Sequence, residues 1–206
     1  MPEELGRSFL EAVYGTMPWT ETTWLGQPVR TPPTDLLAYQ EIISSVRPDW
    51  IVETGAGDGG RSVYLASICA LVGHGRVLTV DPSPAEGRPE HPRLTHLSGR
   101  PHHRDVAEEV KRIVDGGSVL VVLGSVTDRH STSEEFERYW QLVPVGSYVI
   151  VTDTVVNGNP VWAGFGPGPA EAVKQIQARN GNFAPDPTME KYHLSFNPGG
   201  YLRRVR

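Results

Sequence analysis

The chain has 206 residues, of which 38% are hydrophobic and 21% charged, with a formal net charge of -5. That length suits one domain over residues 1–206 with a real core, and that composition suits a globular protein. The negative balance, without any clustered Lys/Arg run, excludes nucleic acid and anionic membrane as main partners, because both need a basic surface. A small molecule is the expected ligand. Cys69, the one cysteine, sits in an apolar stretch, so it reads as a buried structural thiol and the expected compartment is the cytoplasm. No apolar run reaches the roughly 18 residues that cross a bilayer.

In chain order, Leu5, Phe9, Leu10 and Val13 recur at helical spacing, predicting a helix over residues 3–14 that Gly15 and Pro18 end. Residues 19–33, with Trp24, Gly26, Pro28 and Pro32-Pro33, are too proline-rich for a regular element and read as an extended arm covering a pocket or a partner subunit. A helix follows, capped by Thr34 or Asp35 and ending before Pro48. The α/β core over residues 34–206 then alternates. Strands are expected at 50–53, 77–80, 94–97, 119–123 and 148–151, and helices at 62–71, 106–114, 134–142 and 169–179. Short β-branched strands separated by helices indicate a doubly wound, mostly parallel sheet covered on both faces. The last two runs, 192–196 and 201–205, flank Asn197-Pro198-Gly199-Gly200, which is turn chemistry for an antiparallel hairpin.

The strongest motif runs from Ile51-Val52-Glu53-Thr54 into Gly55-Ala56-Gly57-Asp58-Gly59-Gly60-Arg61-Ser62, an apolar strand entering a glycine cluster and then a helix. Glycines let the chain turn tightly and bring its backbone against a ligand. No Gly-Lys-Ser/Thr follows, so a phosphate loop is disfavoured. An acid before the glycines suits a cationic ligand, and the pattern is similar to the first motif of S-adenosylmethionine methyltransferases. Asp81 ends the next strand, where such folds place a carboxylate for ribose hydroxyls. The cofactor set read from these residues is therefore Glu53, Gly55, Gly57, Asp58, Gly59, Ser62 and Asp81. A tight structural turn or a nicotinamide dinucleotide site are the competing explanations.

Several segments, in order, carry a resemblance to a known family: Trp24-Leu25-Gly26, Pro33-x-Asp35, Tyr39-Gln40-Glu41-Ile42-Ile43, Arg47-Pro48-Asp49, and Phe196-Asn197-Pro198-Gly199-Gly200-Tyr201-Leu202. Together with the glycine motif, they make the chain resemble the cephalosporin hydroxylase family, which includes sugar O-methyltransferases. That resemblance implies a class I methyltransferase fold with a seven-stranded sheet, S-adenosylmethionine as cofactor, a divalent cation in many members, and a homo-oligomer. It also adds Gly99 to the cofactor set, since the family places Gly-Ser-Ser against the adenosine after the third strand, where this chain has Gly99-Arg100-Pro101. The family's fourth strand ends in Leu-Asp-Ser-Asp-His. Here the segment reads Leu123-Gly124-Ser125-Val126-Thr127, so both aspartates and the histidine are replaced. The fifth strand keeps Asp153 but has Thr152 for a glutamate. One carboxylate holds Mg²⁺ poorly, so no catalytic metal is expected. The adjacent His102 and His103, on an irregular loop without a third ligand, read as surface residues.

The catalytic candidates are then Asp153 as base, with Asp128 and His130 next. Residues 128–130 read better as a solvated loop before a helix whose start, Thr132 through Glu135, has capping-box spacing. Residues 157–169 are rigid and aromatic, and suggest a pocket wall in which Trp162 and Phe165, with Thr127, face a bulky substrate; packing onto the sheet is the alternative. Two enzymatic readings remain, a metal-independent O-methyltransferase of a natural product and a repurposed, non-methylating cyclase, alongside a non-catalytic partner subunit.

Overall fold

A computed structural model describes residues 2–82, 88–124 and 128–206. After helix α1 (Pro2–Thr16) and a 3-10 turn at Pro18–Thr20, the arm forms a two-residue hairpin, β1 (Thr23–Trp24) and β2 (Gln27–Pro28). The core elements follow as α2 (Pro33–Val46), β3 (Trp50–Thr54), α3 (Gly60–Val72), β4 (Arg76–Asp81), β5 (Leu94–Ser98) and α4 (Arg104–Val114). Then come β6 (Val119–Leu123), α5 (Arg129–Tyr139), β7 (Tyr148–Val151), α6 (Pro169–Arg179), β8 (Phe183–Pro185) and β9 (Tyr201–Arg204).

The seven long-sheet strands lie in the order β5-β4-β3-β6-β7-β9-β8, parallel from β5 to β7 and antiparallel through β9 and β8. This is the doubly wound sheet with an antiparallel C-terminal hairpin that the alternating pattern implies. The chain order reverses beside β3, between the runs to β4 and to β6. In open α/β sheets, ligands bind outside the strand C-termini at that reversal.

Strand parity divides the core. Val52, Val119, Val121 and Leu123 pack with Val110, Phe136, Tyr139 and Val173 from α4, α5 and α6 on one face. Ile51, Leu120 and Val122 pack with Ile42, Ile43, Leu65 and Cys69 from α2 and α3 on the other. Alternate side chains of a strand point to opposite faces, so near-continuous apolar strands are what two covered faces require. Burial pushes the Cys69 thiol up to about 11, in keeping with a structural role.

Three boundaries differ from the sequence reading. The hairpin's outer strand is residues 183–185, not 192–196, which run as irregular backbone before β9. Pro32 precedes α2 as its cap while Thr34 and Asp35 lie inside the first turn; Asp35 bonds instead to residues 195–201. Helix α5 starts at Arg129 rather than 134, because the Asp128 carboxylate accepts from the N–H groups of His130 and Ser131. Consequently Thr132 and Glu135 make no capping box, and both are buried within the helix. Among the described residues no helix is long and apolar enough to cross a membrane.

Candidate functional site

Strand β3 delivers the chain into the glycine turn, where Gly55, Gly57 and Gly59 have φ of +61°, +55° and +81°. Such angles strain any residue with a Cβ, which is why this turn is built from glycine. Gly57 has nothing within 4 Å of a would-be Cβ, so its backbone faces open space. That space is a cavity of about 340 Å³ lined by Gly55, Ala56, Gly57, Asp58, Gly60 and Arg61, and closed by residues from elsewhere. Tyr14 of α1, Pro28 to Thr31 of the arm, Asp153, Trp162 and Phe196 complete its wall. The arm therefore does cover a pocket. It is held there by Val29, buried in the core, and by the Trp24 indole, which donates to Ser67 Oγ at 3.2 Å.

Glu53 is fully buried, and its two carboxylate oxygens accept from Arg61 Nε at 2.6 Å and from Ser62 Oγ. Its charge is thus already balanced by a cation of the chain itself. Asp81 at the end of β4 is likewise paired, with Arg88 Nη2 at 3.0 Å from Oδ2. Next to Arg88, Pro89 sits over the glycine turn, where a Cβ on Gly59 would lie 2.8 Å from Pro89 Cδ. Gly99 follows β5 at φ +150°, against Val106. Asp58 pairs with Arg30 at 2.8 Å across the cavity mouth.

Asp153 follows β7 in the left-handed region, at φ +57°. Its N–H donates to Asn197 Oδ1 at 2.9 Å, and its Oδ2 accepts from Thr152 Oγ1 at 2.9 Å. Desolvation raises this carboxyl above the ordinary aspartate range, while the Arg61 charge and the Thr152 hydroxyl partly offset it. Asn197 in turn donates to Tyr39 Oη and Tyr201 Oη, at 3.1 and 3.3 Å. Tyr201 donates to Asp35 Oδ1 at 2.8 Å, and Ser195 Oγ and the Phe196 N–H also bond Asp35. Burial first, offset by these three bonds, leaves Asp35 at about 6. This network locks the peptide that aims Asp153.

Of the residues expected at the site, Gly55, Gly57, Asp58, Asp153 and Trp162 line the cavity together. Trp162 stacks on Phe165, with centroids 5.5 Å apart and planes 11° apart, and meets the Tyr14 ring edge-on. Phe165 stands behind it, around a second depression shared with Asp128, Arg129 and His130. Asp128 is held below the usual carboxylate range by its bonds to Ser131 and His130, as a helix cap is. His130 is exposed, with Nε2 3.5 Å from Glu134. Thr127 lies outside the described residues. His102 and His103 contact each other ring to ring, and among the described residues no three His, Cys, Asp or Glu side chains gather as metal ligands. Sequence reasoning missed Arg61, Tyr14, Arg30 and Asn197; only Arg61, a base inside a glycine turn, carried a local signal.

The family model described as "Rhamnosyl O-methyltransferase/CmcI" matches residues 16–205. A protein named rhamnosyl O-methyltransferase from Mycobacterium bovis is 32% identical over 199 residues, covering 93% of this chain and 81% of the relative. A protein of the same name from Mycobacterium leprae is 27% identical over 209 residues, covering 98% and 91%. Among solved structures, a cmcI structure with Mg and SAM superposes with a TM-score of 0.69 at 18% identity, covering 91% of this chain and 78% of that one. The last likeness is one of fold.

Proposed function

The chain belongs to the rhamnosyl O-methyltransferase/CmcI family, and on that premise we propose that it transfers the methyl group of S-adenosylmethionine to a hydroxyl of a bulky small molecule, without a divalent cation. The observation that carries the reading is one cavity in which the glycine turn, the buried Asp153 carboxyl and the Trp162 ring meet. The relatives named for rhamnosyl methylation make a sugar hydroxyl of a glycoside the first acceptor class to test.

The residues present fit the cofactor. The open backbone at Gly57 offers a cradle that any Cβ would fill, and Asp81 stands where ribose hydroxyls find an acceptor once Arg88 shares it. S-adenosylmethionine, when bound, supplies an electrophilic methyl on a sulfonium. Asp153 accepts the acceptor's hydroxyl proton, a role that its desolvated, raised carboxyl suits better than an ordinary aspartate would. Trp162, backed by Phe165 and Tyr14, presents a flat apolar wall to the acceptor. Asp153 and the Trp162 wall would hold the acceptor in one orientation, and orientation supplies much of the rate of such a transfer.

A second reading, a cyclase on a repurposed fold, draws on a specific observation: both acids of the cofactor motifs, Glu53 and Asp81, carry an arginine. Calorimetric titration with S-adenosylhomocysteine separates the two. Micromolar binding, together with methyl transfer to a rhamnoside acceptor, supports the methyltransferase. An absence of binding at millimolar ligand overturns it in favour of the cyclase.

A further inference from the structure

Position 124 is where the family resemblance would put a metal-ligating aspartate, and a side chain there would meet the Arg61 guanidinium and the Thr54 carbonyl. An atom at Cβ of Gly124 would lie 1.8 Å from Arg61 Nη2, 2.9 Å from Arg61 Cζ and 2.6 Å from the Thr54 carbonyl oxygen. The guanidinium thus occupies the space that an acid at 124 would need. It is not a loosely placed surface group: its side chain is 14% exposed and Nε donates to the buried Glu53. It also lines the same cavity as Asp153, and the two charges influence each other. Among the described residues two carboxylates line that cavity, and Asp58 is engaged by Arg30 at the mouth, which leaves Asp153 inside. A single carboxylate beside a fixed cation does not fit a divalent ion, which needs oxygen ligands and would be repelled.

We infer that Arg61 takes the place of the divalent cation, with Gly124 as the residue that makes room for it, and that its N–H groups bind the acceptor oxygen next to Asp153. The inference rests on the methyl-transfer reading for the identity of that oxygen, but not for the exclusion of metal. A guanidinium has five N–H donors in a rigid fork and stays charged at all working pH values. One donor goes to Glu53, which orients the plane. As the acceptor hydroxyl passes its proton to the Asp153 carboxylate, the oxygen left behind becomes negative. A fixed cation at that point stabilises it, as preorganised donors do at developing oxyanions. The glycine at 124, where the resemblance implies an acid, and the base at 61 then complement each other: the metal's ligand is missing and a permanent positive charge stands in its space.

The test uses Mn²⁺ as probe, titrated into the full chain and followed by electron paramagnetic resonance. The parent protein is expected to take up no stoichiometric Mn²⁺ at about 0.1 mM, below the roughly millimolar range of weak carboxylate sites. Arg61→Ala combined with Gly124→Asp is expected to gain about one Mn²⁺ per chain, lost again when Asp153→Asn is added, since two carboxylates then face one another. Arg61→Gln, which keeps a donor toward Glu53, serves if the double variant does not fold. Its kcat/KM for the acceptor should fall at least about a hundredfold, with S-adenosylhomocysteine affinity within about threefold. One Mn²⁺ in the parent, removed by Asp153→Asn, overturns the inference even if methyl transfer is found. So does unchanged turnover in Arg61→Gln. Failure of methyl transfer with no Mn²⁺ uptake in the parent overturns only the acceptor assignment, and with it the methyltransferase reading.

Discussion

Arg88 closes over Asp81: its Nη2 stands 3.0 Å from the carboxylate, and both side chains are largely removed from solvent. A ribose seeking the same oxygens competes with this pair. Arg88→Gln should therefore tighten S-adenosylhomocysteine binding by about threefold or more, because the binding-competent arrangement is no longer a minor fraction. The ligand-free protein should melt at a lower temperature, since a largely buried carboxylate loses the Arg88 charge beside it. Calorimetry and a thermal scan on the same sample read both effects. Equal affinities in parent and variant would show that the ribose does not use Asp81.

Asp153→Asn keeps the backbone viable, because Asn, like Asp, enters the left-handed region at φ +57° more readily than other residues with a side chain, and removes the proton acceptor. The expected result is a fall in kcat of about 10²- to 10⁴-fold with cofactor affinity unchanged within about threefold. Steady-state kinetics beside a binding isotherm check it; a variant that turns over normally would move the base elsewhere.

Glu135 lies under the site, where its Oε2 accepts from Thr54 Oγ1 at 2.7 Å and burial pushes the carboxyl up to about 7 from an ordinary 4.5. The unfolded chain gives up this proton first. Stability linked to the protonated carboxyl is complete below about pH 4.5, is lost as pH rises toward about 7, and is flat above. Glu135→Gln retains an acceptor for Thr54 and has no proton to lose. At pH 8 it should be more stable than the parent by on the order of 1–3 kcal/mol, with the gap closing near pH 4.5 in urea melts. A gap that does not change with pH would dissociate the effect from ionisation.

Gly60→Ala should loosen the arm. Its Cβ would fall 1.8 Å from the Pro28 carbonyl oxygen, so helix α3 and the arm cannot both keep their places. We expect a loss of about 1–3 kcal/mol and faster amide exchange over residues 27–31. Gly15→Ala, with nothing within 4 Å, is the control; it should leave both unchanged or add about 1 kcal/mol from helix propensity. Equal exchange in the two variants would show that the arm is not docked through Gly60.

Much of the fold was readable because parallel strands buried on both faces leave an unambiguous trace: Trp50-Ile51-Val52, Val119 to Leu123 and Tyr148 to Val151 contain almost no polar residue. The motifs of the family resemblance were legible as isolated strings, but not as one object. Only in space do Asp35, Tyr39, Asn197 and Tyr201 form the network beneath Asp153. The outer hairpin strand was misplaced because residues 192–196 alternate as a strand does, yet Ser195 and Phe196 spend their polar groups on Asp35 rather than on a neighbouring strand. The start of α5 was missed because its capping acid, Asp128, lies four residues ahead of a more familiar Thr132-x-x-Glu135 spacing. Arg61, a base beside the glycine turn, was missed as a site residue because its meaning depends on the missing side chain at 124, far along the chain.

The bond from the Asp153 N–H to Asn197 spans 44 residues of chain. A nascent polypeptide that has made all five parallel strands therefore still lacks the contact that aims its carboxylate, and it gains that contact only when residues 195–201 emerge and find α2. Assembly of the sheet and arming of the site are separate events in the life of the molecule. A partly synthesised chain can thus begin to fold around its apolar strands without yet presenting a competent base to the small molecules around it.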